Sequence, residues 1–160
     1  MKVSEPGSDK HLISYAFLDG GSDTTLALRN LIEEPSLESE PTNFTFSTVN
    51  HQGKEHGHQT CLDIEALDGR TKFSLDRVLT TESLRNGKKH FASNKELIKW
   101  PQLDGVSLPE IGEHRVPIRI GSDRPDIIDD NLEMRRGARG QPYAVNGSPG
   151  MDGVRSNGRT

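Results

Sequence analysis

The sequence predicts a mainly β domain with one or two short helices. Two observations carry this. Apolar residues recur at every second position in several short runs bounded by turn residues, and two largely apolar runs, Ile13 to Leu18 and Val116 to Ile120, end at Asp19-Gly20-Gly21 and at Gly121. Helical periodicity is confined to Leu28, Leu31 and Ile32 and to a short piece over 94–99.

Residues 1–11 are polar and read as a flexible lead. Ile13 to Leu18 form the first strand, which delivers Asp19 into a turn where Gly20 and Gly21 supply φ freedom. After the polar pair Thr24-Thr25, the helical face of Leu28, Leu31 and Ile32 runs until Pro35 ends it, and the acidic stretch from Glu33 to Pro41 is a loop. Phe44 and Phe46 alternate with Thr45 and Ser47 as in a half-buried strand, whereas Asn50 to Gln59, polar and rich in histidine, suits an exposed hairpin tip. Leu62, Ile64 and Ala66 make the next alternating face, Asp68-Gly69 turns the chain, and Phe73 and Leu75 return.

From about 80 to 114 the alternation gives way to a long insert. Its one helix, Asn94 to Lys99, is expected to be capped by Asn94 and stopped by Pro101, with Trp100, Leu103 and Leu108 pinning the insert to the main β structure. A short Ile127-Ile128 turn follows Gly121, and residues 147–160 read as a disordered tail. There is no internal repeat.

Length and composition narrow the function. A chain of 160 residues is one domain, and a hydrophobic share of 31% gives a core small enough to favour burial shared with a second copy. A net charge of −4, with acids and bases interspersed, recruits neither nucleic acid nor an anionic membrane. The one cysteine, Cys61, excludes an intramolecular disulfide, no apolar run is long enough to span a bilayer, and Met1 to Lys10 is polar. A cytoplasmic location is expected. The glycosylation-like triplets Asn43-Phe44-Thr45 and Asn146-Gly147-Ser148 are read as chance matches.

Several motifs recur together in order: Phe17-Leu18-Asp19-Gly20-Gly21-Ser22-Asp23-Thr24-Thr25-Leu26; Thr48-Val49-Asn50; Leu62 to Gly69; Trp100 to Glu110; Ile120-Gly121-Ser122-Asp123; Leu132 to Gly137; and Pro142-Tyr143-Ala144-Val145. From about Ile13 to Val145 they resemble the aspartic peptidase domain of Bel/Pao-type LTR retrotransposon polyproteins. The resemblance implies a retropepsin-like closed β-barrel over residues 12–146, with a flap hairpin near His51 to His58. It also implies a peptidase, without cofactor or metal, that matures a polyprotein as a homodimer. Asp19 is then the catalytic residue, and Gly21, Ser22, Asp23 and Thr24 line the substrate. The chain departs from that pattern at Gly20, where such peptidases carry a Ser or Thr whose hydroxyl interlocks two active-site loops, a bond worth about 0.5–1.5 kcal/mol. Ser122 likewise stands where an arginine is usual.

One aspartate per chain requires two chains, because hydrolysis by this chemistry needs two carboxylates sharing a proton. Ser22 is expected to donate its hydroxyl to the Asp19 carboxylate. The resemblance implies that Asp23 bonds substrate main chain or an arginine of the second chain; otherwise it caps a helix starting near Thr25. His56-x-His58-x-x-Cys61 could supply three zinc ligands, or, with His51, could decorate a solvated flap tip. Arg135-Arg136-Gly137-Ala138-Arg139-Gly140 is short and offset by Asp129, Asp130 and Glu133, so a solvated turn is preferred to an RNA contact. Two rival readings follow: a catalytically impaired dimerisation or peptide-binding module, and a small metal-binding protein centred on the histidines.

Overall fold

A computed structural model describes residues 1–48, 51–84, 93–108, 116–128, 133–147 and 151–155. Strands β1 (Lys2–Ser4), β2 (His11–Ile13), β3 (Ala16–Leu18), β4 (Leu26–Leu28), β5 (Glu40–Thr48), β6 (His51–Glu65), β7 (Lys72–Thr81) and β8 (Ile118–Ile120) form one sheet. Its order is β2-β1-β6-β7-β4-β8-β3, with β5 paired to β6. The two edge strands, β2 and β3, are consecutive in the chain and separated only by Ser14 and Tyr15. The sheet therefore curls back on itself as a half-barrel, the shape a twisted sheet takes when its ends are tethered. Among the described residues, β2 and β3 share no ladder that would close it.

The alternation in the sequence is what fills the interior. Leu62 and Ile64 on β6 face Leu75 and Phe73 on β7 in register, and Leu62, Ile64, Leu75, Val78, Ile118, Ile120 and Ile127 are all sealed from solvent. Each such side chain contributes about 1.5–3 kcal/mol over its exposed state. Leu31 and Ile32 of helix α1 (Arg29–Glu33) and Ile127 and Ile128 of helix α3 (Pro125–Ile128) join the same core.

Residues 1–11 are not a loose lead. Val3 is buried and β1 lies between β2 and β6, with Val3 opposite Leu12 on one side and Ile64 on the other. Polar flanks concealed a strand too short to show alternation.

The hairpin expected around Asn50 is present but longer. Its register runs from Glu40 opposite Gln59 to Thr48 opposite His51, while β6 pairs with β7 only from Gln59 onward. Residues 40–48 and 51–58 are therefore a two-stranded ribbon projecting beyond the main sheet. Its tip at 49–50 lies outside the described residues. His56 and His58 sit toward the ribbon's base opposite Asn43 and Pro41, not at a tip. The base is fastened by His58 N–H donating to Thr80 Oγ1 at 2.8 Å and by Arg29 Nη2 donating to the His56 carbonyl at 2.7 Å.

A second, three-stranded sheet runs β11 (Met151–Arg155), β10 (Tyr143–Gly147), β9 (Glu133–Arg135). The disordered tail expected from residue 147 thus holds a strand at 151–155, which pairs antiparallel with β10. Within the long insert, helix α2 (Asn94–Leu97) is capped by Ser93, whose hydroxyl and Glu96 form a reciprocal box. Asn94 instead exchanges hydrogen bonds with the backbone N–H and carbonyl of Leu108. Trp100, Leu103 and Leu108 gather with Leu97 and Ala144 in a small separate cluster, so they pin the insert to β10 rather than to the main sheet. Among the described residues, no helix is long and apolar enough to cross a membrane.

Candidate functional site: the Asp19 loop

Strand β8 lies between β3 and β4, parallel to the first and antiparallel to the second. Chain neighbours in a sheet usually pair with each other, but here residues 19–25 must pass over the end of β8 to join strands on either side of it. The loop is fixed where it crosses. Asp19 N–H donates to the Ile120 carbonyl at 2.9 Å, and Ser122 donates to the Ser22 carbonyl through both N–H, at 2.7 Å, and Oγ, at 3.0 Å. Gly121 lies directly beneath the crossing, where a Cβ would come within 2.7 Å of the Thr24 carbonyl oxygen and 2.8 Å of that of Ser22. Only glycine fits.

The glycines after Asp19 have a different reason from the one expected. Neither Gly20 nor Gly21 adopts a positive φ. Gly21 N–H donates to Asp19 Oδ1 at 3.1 Å, and a Cβ on Gly21 would crowd that oxygen at 3.3 Å. Ser22 N–H donates to the Asp19 carbonyl at 3.0 Å, closing the turn. Around Gly20 a Cβ would meet nothing within 4 Å, so no contact within the chain requires glycine there.

Behind the loop, Thr25 is fully buried. Its hydroxyl donates to Asp123 Oδ1 at 2.8 Å and accepts from Gly121 N–H at 3.2 Å, while its own N–H donates to Asp123 Oδ2 at 3.0 Å. This network does the interlocking within one chain.

Asp19 is half-buried, its side chain 31% exposed, and Arg119 Nε stands 3.6 Å from its Oδ2. The pairing follows from strand geometry. Ile118 and Ile120 face the core, so Arg119 takes the opposite face, in register with Phe17 of β3 and Leu26 of β4, and Asp19 follows Phe17 on that face by the alternation of two. Spacing alone could have flagged Arg119, because an arginine between two core isoleucines must project onto the other side of the sheet.

The remaining expected site residues are distributed as follows. Gly21 and Asp23 are exposed, and Ser22 and Thr24 are half-buried. The Ser22 hydroxyl donates to the Thr24 carbonyl at 2.9 Å, not to the Asp19 carboxylate. Asp23 accepts from Thr24 Oγ1 at 3.0 Å and does not cap a helix, since α1 begins at Arg29 with Leu28 in the cap position. His56 bonds Asn43 Oδ1, and Cys61 Sγ donates to the Asp76 carbonyl at 3.2 Å. Among the described residues, no three metal-capable side chains converge. No family model, curated protein or solved structure matches this chain.

Proposed function

We propose that this chain is a retropepsin-like aspartic endopeptidase domain of a retroelement polyprotein, acting in the cytoplasm as a homodimer. One observation carries the reading. Asp19 is held at a strand end, in a glycine turn tied to a second apolar strand that ends in Ile120-Gly121, with its carboxylate partly open to solvent. The curled sheet and the projecting ribbon β5–β6 support the barrel and the flap. Two Asp19 side chains meeting across a two-fold axis share one proton. The protonated one polarises the scissile carbonyl, and the ionised one takes a proton from the attacking water. The substrate is an extended polypeptide paired by its main chain beneath the ribbon. No cofactor, membrane or nucleic acid enters the reaction.

A second reading is a catalytically impaired module that binds peptide or dimerises through the same barrel. Gly20 favours it, because the loop-locking hydroxyl is missing, and so does Arg119, which already engages the Asp19 carboxylate. Incubating the purified chain with an unfolded polypeptide separates the two. The peptidase reading expects cleavage that Asp19→Asn abolishes and a pepstatin-type inhibitor blocks. Peptide binding without turnover would leave the module.

A further inference from the structure

Strand β5 is an edge. Among the described residues it pairs only with β6, and no backbone hydrogen bond reaches the outer side of residues 43–47. Which backbone groups point that way follows from the opposite arm. His58 gives its N–H to Thr80 of β7, and Pro41, opposite His58, has no N–H to return, so this is a pair without mutual backbone bonds. The His56 carbonyl, accepting from Arg29, agrees for the pair with Asn43. By alternation, Asn43, Thr45 and Ser47 turn N–H and carbonyl outward, whereas Thr42, Phe44 and Phe46 turn theirs to β6. Asn43, Thr45 and Ser47 are exposed, while Phe44 and Phe46 lie on the half-buried face.

Edges of this length usually carry a charge or a proline that discourages pairing with another chain. Between Thr42 and Thr48 there is neither, and Pro41 stands just outside. The stretch Thr42-Asn43-Phe44-Thr45-Phe46-Ser47-Thr48 also reads almost alike in both directions about Thr45. We propose that this edge is a self-association surface, on which β5 of a second copy pairs antiparallel about a two-fold axis at Thr45. In that register Thr45 faces its counterpart and Asn43 faces Ser47 of the second copy, each pair exchanging both backbone bonds. Phe44 comes beside Phe46 of the second copy on one face, in the closer pairs without mutual bonds. An axis at Asn43 would instead set Thr45 against Pro41, which has no donor. The paired stretch is short, so the contact is weak. It requires nothing of Asp19 and is independent of the peptidase reading.

The test is amide exchange of the full chain, resolved residue by residue by NMR, from about 10 µM to 1 mM. The N–H groups of Asn43, Thr45 and Ser47 should gain protection as concentration rises, whereas those of Phe44 and Phe46, already bonded to β6, should change little. Thr45→Lys and Thr45→Glu each set like charges face to face at the axis, and each should weaken association about two- to tenfold in analytical ultracentrifugation. Mixing the two variants should restore it, because opposite charges then meet, a rescue that a merely structural role of Thr45 does not produce. Outward amides that exchange freely at every concentration, or that are equally protected at all of them, would overturn the proposal: the edge would be open to water or covered by its own chain. Protection that appears only when an unfolded polypeptide is added would overturn it in favour of a foreign strand. Self-association unchanged in both variants would place the contact elsewhere and overturn it too.

Discussion

Thr25 and Asp123, 98 residues apart in the chain, clasp one another: hydroxyl to Oδ1 at 2.8 Å, backbone N–H to Oδ2 at 3.0 Å. The same hydroxyl accepts from Gly121 N–H. One buried side chain thereby joins the segment after Asp19 to the turn after β8. Thr25→Val keeps the shape but leaves the Gly121 N–H and a carboxylate oxygen without their partner. A loss of about 2–3 kcal/mol of stability is expected, read by denaturant unfolding. A change below about 0.5 kcal/mol would show that water substitutes freely for the hydroxyl.

Gly121→Ala should be more damaging than its single methyl suggests. The new Cβ would press on backbone oxygens of Ser22 and Thr24, which cannot rotate away as a side chain can. A loss of about 3 kcal/mol is expected, with amide exchange accelerating first over residues 19–25. Unchanged exchange in that segment would mean that the loop does not cross β8 so closely.

Acid should weaken the sheet through Asp63. Burial alone would raise its carboxyl, but hydrogen bonds from Lys72, at 2.8 Å, and Ser74, at 2.7 Å, outweigh that and hold it below the ordinary range. Lys72 is held correspondingly high by the same bond. A folded-state value below the unfolded one of about 3.9 means that the contribution is full above that pH and is lost as pH falls through the folded value. Asp63→Asn should therefore lower the melting temperature at neutral pH, and the gap to wild type should narrow progressively below about pH 4. A gap that stays constant down to pH 2 would contradict this assignment.

Gly20 is the position to restore. A side chain there meets nothing within 4 Å in the single chain, and its backbone φ suits any residue, so Gly20→Ser carries no steric cost before dimerisation. If a hydroxyl at this position interlocks two loops across a two-fold axis, the dimer dissociation constant should fall about ten- to a thousandfold in analytical ultracentrifugation. Equal constants for Gly20→Ser and wild type would separate this position from the dimer contact.

The sequence made some of these features legible and concealed others, for physical reasons. Alternating apolar positions declare β6 and β7, and the apolar residues leading into Asp19 and Gly121 mark β3 and β8 although each is only three residues long and Ile13 belongs to β2, not to the strand before Asp19; the glycine beneath the crossing loop marked the second half of the site. Strand β1 did not declare itself, because a three-residue strand with polar ends has no period to detect. The strand at 151–155 was hidden for a similar reason, since glycine-rich composition speaks against order until a paired neighbour supplies the hydrogen bonds. The histidines misled by their polarity: His56 and His58 lie along one arm of a ribbon with one face exposed and the other half-buried, and polar residues on that exposed face are no evidence of a tip. The Ser22 hydroxyl went to a backbone carbonyl two residues on, a local competitor that motif comparison does not weigh. Arg119 was readable from Ile118 and Ile120, yet its nearness to Asp19 depends on β3 and β8 being adjacent, which pairing alone reveals.

The central claim is that one active site is shared by two chains, each giving one Asp19. It is tested most directly by mixing wild type with increasing amounts of Asp19→Asn at fixed wild-type concentration and measuring hydrolysis of a peptide substrate. The account predicts that activity falls toward zero as wild-type chains are captured in mixed dimers holding a single carboxylate, and that wild type alone loses specific activity on dilution. Activity that is indifferent to excess Asp19→Asn and proportional to wild-type concentration would contradict it.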